Sequence, residues 1–395
     1  MNRVFVTGLG VITSVGDTVD ANRTALKEGI CGITTLEQFP SKYAGRLPVG
    51  EIKIANQLFK EKLKVRESGV TRTTLLALHA FQEAIHDSKL SQTQLSSQDT
   101  ALIGATTVGG MCLTDELYHD ANRDSEGAEY LSSYDAASVN AYLQQRYRLN
   151  GIINTLNTAC SSSANALMFG ARLIKHGLAK RAIVGGVDSL AKFTINGFNA
   201  LHILSSTICR PFDADRNGLN LGEGAGFLVL EREEDAAGKR VYAELSGYCN
   251  ANDAFHPSSL SENGDGPYLA MKGALAVAKL SANQIGFVNA HGTGTENNDE
   301  VESRAMLRIF EQMPAFASTK GNIGHTLGGA SAIEAVYSLL NLVYQEVYPG
   351  LNFENPMATT GLSPIQTFTS KPLTHVMSNS FGFGGNCSSL IFSKV

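Results

Sequence analysis

Short apolar runs that break off in glycine-containing turns alternate with helical stripes along most of this sequence, and that alternation most narrows the folds open to it. Val4–Val6, Ala101–Gly104, Ile152–Leu156 and Ala182–Val187 read as buried strands, and Phe227–Leu230, Phe287–Ala290 and Ser388–Phe392 follow later. Between them, Ala164, Leu167, Met168 and Ala171 recur at i, i+3, i+4 and i+7, with Gly177 beyond the end. Ile333, Val336, Tyr337, Leu340 and Tyr344 form a second stripe ahead of Pro349, and Val301, Ala305 and Ile309 a third. Strands alternating with helices predict an α/β fold with substantial sheet. Glycine supplies 39 of 395 residues, above the usual ~7%, and the excess collects at strand ends. The most polar passage, Glu231–Arg240, predicts a junction between residues 1–238 and residues 239–395. No short-period repeat suggests a solenoid, and a distant duplication between the two portions would be invisible at this level.

Composition excludes several classes. A chain this long buries a deep core without help from metals or disulfides. With 32 basic and 37 acidic side chains, a net charge of -5 and no block of like charge, a nucleic-acid scaffold is disfavoured. The six cysteines (Cys31, Cys112, Cys160, Cys209, Cys249 and Cys387) include no C-x-x-C pair, which argues against a zinc ribbon, a thioredoxin-like centre or a disulfide framework. No secretion signal and no run of ~20 apolar residues is present, so a soluble, cytoplasmic protein is expected.

Four strand-end segments carry chemistry-bearing residues, the last three of them rich in glycine. Asn157–Ala166 places Cys160 where a strand turns into a helix. Free amide N–H groups at a helix start favour a thiolate, so a lowered pKa is expected there; the bland alternative is a structural buried cysteine. The adjoining Ser161, Ser162 and Ser163 read as helix-start donors, because no G-x-S-x-G elbow surrounds them. Asn289–Thr295 presents His291 at a strand end, followed by Gly292-Thr293-Gly294-Thr295; without G-x-G-x-x-G or Gly-Lys-Ser/Thr, nucleotide binding is weakly supported. Ser318–Ala330 carries Lys320 and His325, with Glu334 on the helix that follows. Asn379–Cys387 sets Phe381 and Phe383 among glycines. Each residue alone has an ordinary structural explanation. A cysteine, two histidines and a lysine all at strand ends point to one site.

Together these passages resemble the β-ketoacyl-acyl-carrier-protein synthases, condensing enzymes of the thiolase superfamily, almost end to end. The resemblance rests on Val6-Thr7-Gly8-Leu9-Gly10, Thr158–Ser163, Arg210-Pro211-Phe212-Asp213, Gly222-Glu223-Gly224-Ala225-Gly226, His291–Thr295, Lys320 with Gly324-His325, and Asn379–Gly385. It implies a thiolase-like, five-layered αβαβα fold of two related halves, the first (1–238) bearing the nucleophile and the second (239–395) both histidines. Cys160 would carry the acyl group as a thioester, while neutral His291 and His325 promote malonyl decarboxylation and stabilise the enolate. Backbone N–H groups of Cys160 and Phe383 would form the oxyanion hole, with Phe383 also an aromatic gate. Lys320 and Glu334 would orient His325, and Thr293 and Thr295 would bond the phosphopantetheine arm. Thr107, Val108 and Met111, in a glycine-flanked loop after a strand, are expected to line the acyl pocket. No metal or separate cofactor is implied, since substrates ride on the phosphopantetheine of an acyl carrier protein. The expected partners are that carrier and a second subunit, identical or related; Lys60, Lys62, Lys64 and Arg66 form the densest basic stretch for an acidic carrier, or simply a solvated helix face.

Departures from the family pattern are Glu296-Asn297-Asn298-Asp299, where a proline and a glycine are common, and Gly-Gly-Asn386-Cys387 in place of Gly-Gly-Thr-Asn. Asn157 and Leu219 replace an aspartate and an aromatic of the polyketide branch. Aryl-polyene or other secondary-metabolite elongation is therefore as open as fatty-acid synthesis. The rivals are a thiolase acting on coenzyme A thioesters, with Cys387 as its late cysteine, a non-catalytic chain-length partner subunit, and a cysteine hydrolase.

Overall fold

The computed structural model describes residues 3–114, 117–118 and 131–395. Ten strands join in one hydrogen-bonded order: β1 Val4–Ile12, β2 Thr100–Ala105, β3 Ile153–Leu156, β4 Arg181–Asp188, β5 Gly224–Arg232, β6 Ala243–Asn252, β7 Phe287–Asn289, β8 Ala315–Ala317, β9 His375–Phe381 and β10 Asn386–Ser393. Their spatial order is β8-β7-β9-β10-β6-β1-β5-β4-β2-β3. From the middle outward, both halves follow one plan. β1 lies antiparallel to β5 and β5 to β4, then β4, β2 and β3 run parallel. β6 lies antiparallel to β10 and β10 to β9, then β9, β7 and β8 run parallel. The halves join where β1 pairs with β6, at Phe5–Glu244 and Val6–Ala243. Shared connectivity reveals the duplication that the residues conceal.

The helices needed here are α1 Asn56–Leu63, α2 Arg72–Asp87, α3 Ser162–Lys175, α4 Lys192–Ala200, α5 Asp265–Ala278, α6 Glu296–Ile309 and α7 Ala330–Tyr344. α2 covers β1 and β5 on one outer face, and α5 covers β6 and β10 on the other. α3 and α7 touch each other and strands of both halves, which produces the αβαβα layering. Every residue of α7 from Ala330 to Leu342 is buried, the condition under which a helix is apolar on most of its surface.

Several sequence expectations shift in detail. The N-terminal strand continues through Gly8 and Gly10 to Ile12 rather than turning there. A Cβ on Gly10 would lie 2.0 Å from the Ala80 carbonyl oxygen, and one on Gly8 2.4 Å from that of Ala84; these glycines let α2 ride against the strand backbone. β3 is a half-buried edge strand instead of a buried one. The polar junction is anchored: buried Glu231 accepts from Lys239 Nζ at 2.6 Å, Thr7 Oγ1 at 2.7 Å and Arg181 Nε at 3.2 Å. No helix among the described residues is long and apolar enough to cross a membrane.

Candidate active site

Parallel strands end at a common edge, and the second half uses this to gather β7, β8 and β9. The turns after them carry His291, Lys320 with His325, and Phe383. From the first half, β3 ends at Leu156 and α3 starts at Ser162, which places Cys160 in the intervening turn. Ala159 holds the left-handed φ of 54° immediately before it, a local strain typical of functional turns. The neighbouring serines are used in bonding the turn. Ser161 Oγ donates to the Thr158 carbonyl at 2.8 Å, Ser162 Oγ accepts from the Thr158 N–H at 2.8 Å, and Ser163 Oγ accepts from the Ala332 N–H at 2.9 Å. Ser331 on α7 donates to the Cys160 carbonyl at 3.0 Å.

Cys160 Sγ and nitrogens of His291 and His325 all lie within 4.8 Å of one another. The two rings meet edge to face with centroids 5.3 Å apart. Lys320 Nζ donates to Glu334 Oε1 and, at 2.6 Å, to the His291 carbonyl, and it stands 3.4 Å from His291 Nδ1. This pair therefore supports His291, not His325 as expected from the sequence. His325 is set by its own turn: the Leu327 N–H donates to its Nδ1 at 3.3 Å, and its backbone N–H donates to the Asn220 carbonyl at 2.7 Å. Lys320 and Glu334 are both buried. Removing one partner of such a pair leaves an uncompensated charge, so Lys320→Met is expected to cost about 3–5 kcal/mol in urea unfolding. A loss under about 1 kcal/mol would show that Glu334 does not depend on that cation.

Burial holds both histidines well below the usual imidazole range, and the Lys320 charge adds to it, so both rings are neutral. For Cys160 the expectation of a lowered pKa is overturned. Burial pushes the thiol up to about 11, against the opposing pull of Lys320 and of the Phe383 and Cys160 backbone N–H groups. A helix start contributes about 0.3–1 kcal/mol, less than one pKa unit, and does not offset that desolvation. Alkylation by neutral iodoacetamide is accordingly expected to accelerate about tenfold per pH unit across roughly pH 7–10. A rate already level near pH 8 would signal a preformed thiolate.

A cysteine and two histidines this close are also a zinc-like donor set. Their surroundings argue otherwise. A ligating histidine donates its second ring N–H to an acceptor, whereas the Leu327 N–H stands behind Nδ1 of His325; Lys320 Nζ lies 3.4 Å from Nδ1 of His291, whose ring also bonds the Phe381 carbonyl. A backbone N–H can only donate, so His325 Nδ1 accepts and its ring proton lies on Nε2. His325 thus carries its N–H donor on the ring edge away from Leu327. His325 Nε2 is buried without a partner, a donor awaiting an acceptor.

The three residues open into a cleft of about 420 Å³ that Phe198, Leu219, Leu260, Thr293, Thr295, Asn297 and Phe383 also line. Thr293 and Thr295 hydroxyls lie 2.8 Å apart. The Phe383 ring stacks on Phe198 of α4, centroids 5.9 Å apart and 17° from parallel. Thr107, Val108 and Met111 do not line this cleft. The Thr107 and Val108 N–H groups bond Asp188, while Val108 and Met111 join an apolar cluster that shares Phe198 and Leu219 with the cleft wall. Lys60, Lys62, Lys64 and Arg66 lie on or just after α1, and none lines the cleft.

Two supporting carboxylates were missed from the sequence. Glu302 accepts the His291 and Gly292 N–H groups at 2.9 and 2.8 Å; its place beside Val301 on an apolar stripe was the available signal. Asp188, closing the apolar run of β4, accepts from Thr106 Oγ1 at 2.7 Å, the Val108 N–H at 2.8 Å and the Gly328 N–H at 2.7 Å, tying the turn below His325 to the first half.

Residues 1–236 match the family described as Beta-ketoacyl synthase, N-terminal domain, and residues 242–354 that described as Beta-ketoacyl synthase, C-terminal domain. The chain is 33% identical over 417 residues to 3-oxoacyl-[acyl-carrier-protein] synthase 2 of Vibrio cholerae, covering 100% of this chain and 99% of that protein. The solved ishigamide ketosynthase/chain length factor is similar at a TM-score of 0.92 and 28% identity, over 100% of this chain and 99% of that one. A ketosynthase solved with its type II PKS acyl-carrier protein and bound to the hexaketide gives 0.90 at 26% identity, with 100% of both chains covered.

Proposed function

Because the chain belongs to the β-ketoacyl synthase family and is a condensing acyltransferase of fatty-acid or polyketide elongation, we propose that Cys160 is acylated and the acyl group extended by decarboxylative Claisen condensation with malonyl-carrier protein. The observation that carries this reading is the convergence of one cysteine sulfur and two neutral imidazoles within 4.8 Å.

In the loading half-reaction, Cys160 sulfur attacks the carrier thioester carbonyl, and the thiol proton leaves on the phosphopantetheine sulfur. The Phe383 and Cys160 backbone N–H groups both act on the Cys160 thiol, opposing the rise that burial causes, and donors so placed would stabilise the tetrahedral oxyanion. In the second half-reaction the malonyl carboxylate leaves as carbon dioxide and its electron pair moves into an enolate. The unpartnered Nε2–H of His325, with His291 beside it, is placed to donate to that enolate oxygen. Attack on the acyl thioester forms the carbon–carbon bond, breaks the carbon–sulfur bond and releases Cys160 as a thiolate, which takes a proton from water. Thr293 and Thr295 line the route the pantetheine arm would take.

The reading includes an acyl carrier protein and a second subunit of related fold as partners, a cytoplasmic location, and no cofactor beyond carrier-borne phosphopantetheine. Relatives solved with a carrier protein or a chain length factor support the partners. A thiolase reading would need Cys387 beside Cys160; instead Cys387 Sγ is buried against the Gly385 carbonyl at 3.4 Å and does not line the cleft. The test supplies acyl- and malonyl-carrier thioesters and follows carrier-bound product by mass. A chain two carbons longer with equimolar carbon dioxide is expected; free acid alone would indicate a hydrolase, and coenzyme A-dependent cleavage of the β-keto product a thiolase.

A further inference from the structure

Asn386, one of the departures from the family pattern, has no part in the steps above. It opens β10 three residues beyond Phe383 and is half-buried. Its Oδ1 faces three donors: Asn250 Nδ2 at 2.6 Å, Ser161 Oγ at 2.7 Å and Asn165 Nδ2 at 3.0 Å. Those donors fix the amide orientation, because the flipped group would set its NH₂ against two others. The Asn386 carbonyl accepts the Gly382 N–H at 2.8 Å and so closes the turn that carries Phe383. Ser161 is the residue after Cys160. One residue thus spans the two segments whose N–H groups converge on the reacting sulfur. The segments are also in backbone contact: a Cβ on Gly382 would lie 2.7 Å from the Thr158 oxygen and 3.2 Å from the Cys160 nitrogen.

The geometry assigns Asn386 as the positioning residue of the oxyanion hole, latching the Phe383 turn to the Cys160 turn through Ser161. The inference rests on the condensing reading above. It locates the device in a side chain rather than in the glycine backbone alone. Without the shared acceptor, Ser161 turns wholly to the Thr158 carbonyl, and the Phe383 N–H is no longer held in register with that of Cys160. Binding of the pantetheine arm, which depends on the other wall of the cleft, is untouched.

The test compares wild type, N386A, N386S and N386D in acyl loading from an acyl-carrier thioester, with thermal midpoints measured alongside. N386A and N386S, which cannot reach Ser161, are expected to lose about ten- to a hundredfold in kcat while KM stays within about twofold. N386D keeps the acceptor oxygen and the shape, and is expected to recover most of that rate. Should N386A fail to fold, N386S and N386D decide. Wild-type kcat in N386S, or N386D as slow as N386S, overturns the assignment; so does a loss that follows thermal stability alone. Failure of the wild type itself to elongate any chain would instead defeat the functional reading, and it would be seen before any variant was made.

Discussion

Cys160→Ala is expected to abolish carbon–carbon bond formation, with a loss of at least about 1,000-fold in kcat, because Cys160 is the one thiol that lines the cleft among the described residues. The fold should survive. The site loses one small buried side chain, and the turn is held by bonds from Ser161, Ser162 and Ser331 rather than by the sulfur. The thermal midpoint checks stability, and elongation of a carrier-bound chain checks activity. Residual elongation above about one-hundredth of wild type would show that the acyl group is held elsewhere.

His325→Ala is expected to separate the two half-reactions. The ring has the Leu327 N–H behind Nδ1, leaving Nε2–H aimed into the site with no partner. A buried donor left unpaired costs about 1–3 kcal/mol in the resting enzyme, and an enolate oxygen would relieve that cost where charge develops. Condensation in a single turnover from preformed acyl-enzyme is thus expected to slow about 100- to 1,000-fold. Acyl loading should fall by less than about tenfold, since the oxyanion hole is built of backbone N–H groups. Equal losses in both steps would place His325 on the sulfur's chemistry instead of the enolate's. The His291→Ala variant should not add its loss to that of His325→Ala, because the two rings act as one unit.

Strands whose outward and inward faces are both apolar, such as Ala182–Val187 and Phe227–Leu230, were legible in the sequence. β9 was missed because Ser378, Asn379 and Ser380 interrupt it, yet all three are buried. Part of the reason is visible in the structure: Asn379 Oδ1 accepts from Ser389 Oγ at 2.9 Å, and its Nδ2 donates to Glu302 at 3.3 Å. Hydropathy cannot anticipate a polar strand whose partners lie elsewhere in the chain. Cys160, His291, His325 and Phe383 were legible because each sits in a turn at a strand end, the last three among glycines, where a parallel sheet gathers its functional groups. What was not legible is which partner each meets. Lys320 lies far closer in the chain to His325 than to His291, and only the turn geometry sends its ammonium to His291. The thiol's raised pKa was equally hidden: the helix start is written in the sequence, but the desolvation that outweighs it comes from packing between the two halves.

The most direct measurement of the central claim is the intact mass of the protein after exposure to an acyl-carrier thioester, with the adduct mapped by peptide digestion. One acyl group per chain is predicted, on the peptide containing Cys160, disappearing when malonyl-carrier protein is added as the elongated chain appears on the carrier. An adduct on any other residue, or one that malonyl-carrier protein leaves in place, would contradict it.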